Sequence, residues 1–272
     1  MRAFYFIAAI ALAGCYQIAE IELDPETGTG SDSASGAPHL DAAWIAFAGG
    51  PFTMGEAGML WSEPVHLVHV PAFELASAEV TVADYAACVD AGACAAPAPL
   101  HEHCNWDATG RDDHPINCLD WQRASAYCAY AGGRLPTESE WEFAARSGGL
   151  PIAYPWGNAT ADCSRAVMDG GTSGEASGYG CGALSTAPVC SKPAGISNQG
   201  LCDLAGNVAE WVADWFHDSY EGHPTDGSAW LQPAGSFRVI RGGGYTLGAY
   251  HLRATKRDHL APGPLTGVRC AR

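Results

Sequence analysis

The chain has 272 residues and a formal net charge of −16, with 16% charged and 47% hydrophobic residues. That composition suits one sizeable core and excludes a disordered chain. The acidic balance excludes nucleic acid as a partner, because phosphate binding needs clustered Lys and Arg; acidity here keeps an exported protein soluble.

The first element is an apolar run from Phe4 to Ala13 behind Arg2. It is too short to span a bilayer and reads as a signal-peptide core, giving a signal peptide over residues 1–14. Leu12-Ala13-Gly14-Cys15 resembles the bacterial lipoprotein box. The resemblance implies a lipidated Cys15 as the first mature residue, anchored to the membrane by its acyl chains. Tyr16 rather than aspartate after that cysteine points to the outer membrane. An ordinary secretory signal with a chance cysteine is the alternative. Residues 15–41 are polar, Gly/Ser-rich and aperiodic, and read as the lipidated cysteine and a flexible tether. No later stretch looks like a linker, so 42–272 is expected to be one domain.

Within it, AWIAFAGGPFTMGEA reads as an opening hairpin and HLVHVPAFELASAEV as one or two more strands. Thr81 with Asp84 caps a short helix ended by Gly92, Asp120 caps a second stopped by Gly132-Gly133, and Thr137 with Glu140 forms a capping box for a third. Beyond residue 150, Gly, Pro, Trp and short β-like runs predominate. Such loops need staples. Apart from Cys15, ten cysteines remain, an even number that allows five disulfides in an exported chain, and no CxxC pair suggests a zinc knuckle.

Four segments resemble one family in order: DWQRASAYCAYAGGRLPTESEWEFAAR (120–146), YPWGN (154–158), GLCDLAGNVAEWVADWF (200–216) and RVIRGGGY followed by GVRCAR (238–272). They are similar to the formylglycine-generating enzymes, or sulfatase-modifying factors. GPFTMG and AEVTVADY fit as well. The resemblance implies an α+β fold distantly similar to C-type lectins, with low regular secondary structure, many loops and disulfide staples. It implies a Cys128–Cys270 bridge. Cys163–Cys181, Cys190–Cys202, Cys88–Cys94 and Cys104–Cys118 are expected alongside it. Trp141, Trp156, Trp211 and an Arg134 ion pair with Glu140 or Glu142 read as scaffold.

The resemblance also implies a structural calcium ion. Asp203 and Glu210 match carboxylate ligands, and Gly206 and Val208 match backbone carbonyl ligands. All four are hard oxygen donors of the kind calcium takes. A second calcium site of the family is not matched: Ala166 stands at its Asn position, and a Cys163–Cys181 bridge is expected to replace that ion as the staple.

Active family members oxidise a substrate cysteine with O₂ at Cu(I) held by two cysteines. Here the matching turn is RGGGYTL, and Leu247 stands where the first ligand cysteine is expected. The following GAYHLRATKR has no cysteine. Gly244 replaces a serine, Ala209 an aromatic residue, and Ala145 and Ala254 a cysteine pair. Thiolates suit Cu(I) and leucine offers no ligand atom, so copper and a copper-based catalytic residue are not expected. A related branch uses histidine-ligated iron, with ligands largely from an additional helical domain that this chain has no room for. His101-Glu102-His103, His114, His251 and His259 form no strong metal spacing.

What remains is a groove edge carrying Tyr245, Tyr250, His251, Arg253 and Arg257. The expected role is non-catalytic binding of a peptide, glycan or protein partner by a surface-anchored lipoprotein. The alternative is an oxidoreductase acting with O₂ on a protein or small-molecule substrate. Internal packing of Tyr245, Arg253 and Arg257 is the simplest reading of those three.

Overall fold

The computed structural model describes residues 42–97, 102–171, 177–259 and 265–272. The signal peptide, Cys15, the tether and His101 lie outside the described residues. Among the described residues the architecture is α+β, with three short α-helices, small sheets and long loops. No described helix is long and apolar enough to cross a membrane.

The first four strands correct the hairpin expected at 43–57. Strand β1 (Trp44–Phe47) pairs with β4 (Phe73–Ala76), and β2 (Gly50–Met54) pairs with β3 (His66–Val70). The register runs on unchanged from Phe47↔Phe73 to Gly50↔Val70, so the four strands are one antiparallel ladder bent in the middle. The two residues between β1 and β2 bend the chain instead of reversing it. Gly49 takes φ +71°, and a Cβ there would sit 2.3 Å from the Val70 carbonyl oxygen. Only glycine lets the arms approach so closely.

Local capping decides the helices. In α1 (Val82–Asp90) and α3 (Glu138–Ala145), Thr81 and Thr137 accept from the Asp84 and Glu140 amides, and those carboxylates accept from the cap residues in return. Asp120 caps α2 (Trp121–Tyr130) by accepting from the Arg123 amide. Strand β5 (Ala209–Trp215) is central in a second sheet ordered β7-β6-β5-β8. In it β6 (Arg238–Arg241) and β7 (Arg257–Asp258) run antiparallel, and β8 (Thr266–Gly267) pairs parallel to β5.

One core cluster joins the bent hairpin to α3 through Phe47, Phe52, Val68, Phe73, Trp141 and Phe143. A second joins α1 and α2 to β5 and β6. Residues 268–272 lie along β4: the Glu74, Ala76 and Val80 amides donate to the Arg272, Cys270 and Val268 carbonyls.

Five disulfides staple the loops: Cys88–Cys94, Cys104–Cys118, Cys128–Cys270, Cys163–Cys181 and Cys190–Cys202. These are the pairs given in the sequence analysis. Ala145 and Ala254 are both fully buried in the first core cluster, so apolar packing stands where a bridge is expected in the family.

Candidate functional site

Helix α3 is buried on every side, yet it carries three carboxylates. Their spacing explains the arrangement. Glu138 and Glu142, four residues apart, face the second sheet, and Glu140 turns away to a bidentate pair with Arg134 at 2.7 Å. Arg257 grips Glu138 with Nε and Nη2, each at 2.8 Å. Arg241 donates to Glu142 at 2.5 Å and lies 3.5 Å from Glu138. Arg146 adds a 3.1 Å bond to Glu142. Burial pushes the Glu138 carboxyl up, but Arg257 and Arg241 more than offset this and hold it below the usual range.

The expected groove edge is therefore corrected at two of its five residues. Arg257 is fully buried, and donates also to the Trp61 and His217 carbonyls. Tyr245 is buried at 2% exposure, its carbonyl accepting from the Gly180 amide. A basic run of sequence does not show which side faces inward; the acidic residues of a buried helix are the signal that two of its arginines do. Arg253 is partly buried against Glu56 at 2.5 Å and lines a separate polar pocket with Arg146 and Asn158. Tyr250 is half exposed and meets His251 edge-on.

His251 and Leu247 line a narrow recess of about 20 Å³ with Ala209, Ile240, Gly243 and Lys256, and Arg241 and Asp258 complete its wall. Leu247 also packs against the cluster around Tyr154 and Leu252. The turn that delivers it is tight: Gly243 takes φ +69°, where a Cβ would lie 2.9 Å from the His251 carbonyl oxygen. Lys256 is buried, donates to the Arg257 carbonyl at 2.6 Å, and lies 3.7 Å from Asp258. Burial pushes its ammonium pKa down. Leu247 has no ligand atom, and every cysteine among the described residues is in a disulfide. These residues do not fit thiolate-held copper.

Of the expected calcium ligands, Asp203, Gly206 and Val208 sit on the turn entering β5 and Glu210 lies at the start of that strand. Glu210 is engaged already: Arg269 donates to both its oxygens at 2.8–3.1 Å, and Trp141 Nε1 to Oε2 at 2.6 Å. Asp203 accepts the Cys190 amide at 2.5 Å. Glu79, which sequence reasoning missed, is buried beside them and accepts from Asn207 Nδ2 and the Val208 amide. Three buried carboxylates thus face one guanidinium. Burial, then the neighbouring charges of Asp203 and Glu210, raises the Glu79 carboxyl well above its ordinary range; burial also raises that of Asp203.

The histidines singled out in sequence do not assemble. His103 is exposed near Glu102, whereas His114 is buried against Thr186 Oγ1 at 2.8 Å. His259 stacks among Phe216, Phe237 and Trp61. Among the described residues, the only three His, Cys, Asp or Glu side chains whose ligand atoms lie within 4.8 Å of one another are Glu138, Asp214 and His223. They come from three distant segments, and no sequence spacing announces them.

The sulfatase-modifying factor enzyme 1-like domain model matches residues 32–272. A formylglycine-generating enzyme of Streptomyces coelicolor is 41% identical over 142 residues, 51% of this chain and 44% of that protein. A hercynine oxygenase of Mycolicibacterium thermoresistibile is 30% identical over 274 residues, covering 86% of this chain and 59% of its own. Among solved structures, PvdO from Pseudomonas aeruginosa superposes with a TM-score of 0.69 at 28% identity, over 84% of this chain and 93% of that one. The matches span less than two thirds of the length of both curated relatives.

Proposed function

Since this chain belongs to the sulfatase-modifying factor enzyme 1-like domain family, we propose that it is a surface-anchored member that binds a peptide, glycan or protein partner without copper catalysis. The observation that carries this reading is Leu247 in the wall of the pocket, at the turn where the family resemblance calls for a ligand cysteine. Leucine, Ala209 and Ile240 offer apolar surface, and Lys256 and His251 offer donors at its edge. The recess itself has room for about one water, so a partner would lie across its apolar mouth and meet the polar groups at the rim. Tyr250 extends this surface outward. Lipidation at Cys15 and outer-membrane placement belong to the same reading.

Anaerobic Cu(I) titration of the full chain, followed by O₂ uptake with a cysteine peptide, tests it. The expected result is no stoichiometric tight copper and no peptide-dependent O₂ consumption. Stoichiometric copper with O₂ uptake would overturn the reading in favour of an oxidoreductase.

The second part of the proposal is structural calcium, held by Asp203 and Glu210 carboxylates and the Gly206 and Val208 carbonyls. The residues fit in kind: the donors are all oxygen, and Glu79, Asp203 and Glu210 are buried together, so that ionising Glu79 or Asp203 is costly without a further cation. The ion would supply charge balance and fix the loop; it has no catalytic part. Calcium at about 100 times its Kd is expected to stabilise the fold by about 2.7 kcal/mol. Thermal melts with and without Ca²⁺ check this. The increment should disappear in Asp203→Asn, and an undiminished increment in that variant would reject the site.

A further inference from the structure

We propose that Glu138, Asp214 and His223 form a second, buried site for a divalent cation of the Zn²⁺ type, separate from the calcium turn and from the Leu247 pocket. Three elements bring the ligands together. Glu138 opens α3, Asp214 lies near the end of β5, and His223 sits in the loop between β5 and β6. Glu138 and Asp214 are fully buried and His223 is 5% exposed.

Hydrogen bonding fixes the imidazole. His66 Nδ1 lies 3.0 Å from the Pro64 carbonyl oxygen, which can only accept. His66 Nδ1 therefore carries its proton, and neutral His66 offers a lone pair at Nε2. That Nε2 lies 3.2 Å from His223 Nδ1, so His223 Nδ1 must be the donor. The neutral His223 ring then has its lone pair on Nε2. This atom is buried with no hydrogen-bond partner, and a ring nitrogen of His223 lies within 4.8 Å of carboxylate oxygens of Glu138 and Asp214. An unpartnered ring nitrogen buried in a group with two carboxylates calls for a positive species among them.

The charge accounting points to the same place. Glu138 is balanced by Arg257 and Arg241. Asp214 has no hydrogen bond from a cationic side chain. Its Oδ1 accepts the Trp230 amide and its Oδ2 the Glu138 amide, both at 2.7 Å. Each Asp214 oxygen has accepted one bond, and Glu138 Oε2 has accepted one from Arg257 Nη2, so each keeps a further lone pair. The three ligands are also held from behind, as metal ligands usually are: His223 by His66, Asp214 by two amides, and Glu138 by Arg257. One imidazole nitrogen with two carboxylate oxygens is a zinc-type donor set, whereas calcium takes oxygen alone.

The test uses the full chain, stripped with chelator and kept in excess Ca²⁺ so that all-oxygen sites are filled. Zn²⁺ is titrated by equilibrium dialysis, and Co²⁺ by its visible absorption. The expected result is one equivalent of either ion and four-coordinate Co²⁺ bands, both lost in His223→Gln. His66→Gln, which removes only the orienting partner, should weaken Zn²⁺ by about 10–100-fold. No stoichiometric uptake by the unmodified chain overturns the proposal. Should His223→Gln fail to fold, His66→Gln decides: unchanged affinity in that variant also overturns it. The calcium and copper experiments read other residues, so failure here leaves them standing.

Discussion

Arg257→Met is expected to lower the unfolding free energy by about 3–5 kcal/mol, because it leaves Glu138 buried without its bidentate partner. The side chain is fully buried, and its donors serve Glu138 and the Trp61 and His217 carbonyls. Methionine fills much of the volume and supplies none of the donors. Arg241 stays 3.5 Å from Glu138, too far to replace them. Arg257→Lys should recover little, since a single ammonium does not reproduce the fork. Adding Glu138→Gln to Arg257→Met should restore part of the loss, because the orphaned charge is gone. Urea unfolding at constant m-value measures all three. A loss below about 1 kcal/mol for Arg257→Met would mean that the pair behaves as an exposed one.

The joint change Cys128→Ala and Cys270→Ala is expected to cost about 5 kcal/mol, against about 2 kcal/mol for opening Cys88–Cys94 the same way. The difference comes from chain entropy. The first bridge spans 142 residues and the second only 6, while both lie in the same buried cluster. Similar chemistry is removed in each case, so loop length is what separates them. Denaturant midpoints of the two double variants give the comparison directly. Equal losses would show that local packing, not the long loop, sets the value of the Cys128–Cys270 bridge.

The parts of the fold that local chemistry controls were legible in the sequence. Thr81, Asp120 and Thr137 mark helix starts because a cap and its amide partner lie within three residues. Strand pairing was not, because the alternation in β1 and β2 is satisfied by any antiparallel partner; Gly49 and Pro71 decide it by packing across the bend. The 241–257 stretch was half legible. Leu247 shows missing thiolate chemistry in one letter. Arg257 and Tyr245 needed the fold, since their inward direction depends on α3 and on the loop at Gly180. The cluster at His223 was not legible at all: His66 sets its tautomer from a strand far away in sequence.

The contacts of residues 268–272 along β4 also bear on how the chain is made. Residues 74–80 leave the ribosome long before the amides there can find the Val268, Cys270 and Arg272 carbonyls. Through that interval an unpaired row of backbone amides stands open, and open edges invite pairing with other chains. Helper proteins that shield nascent or translocating segments would act on this edge. A strand-breaking proline in 268–272 would prolong its exposure without touching the hairpin itself, turning a late folding step into an aggregation hazard.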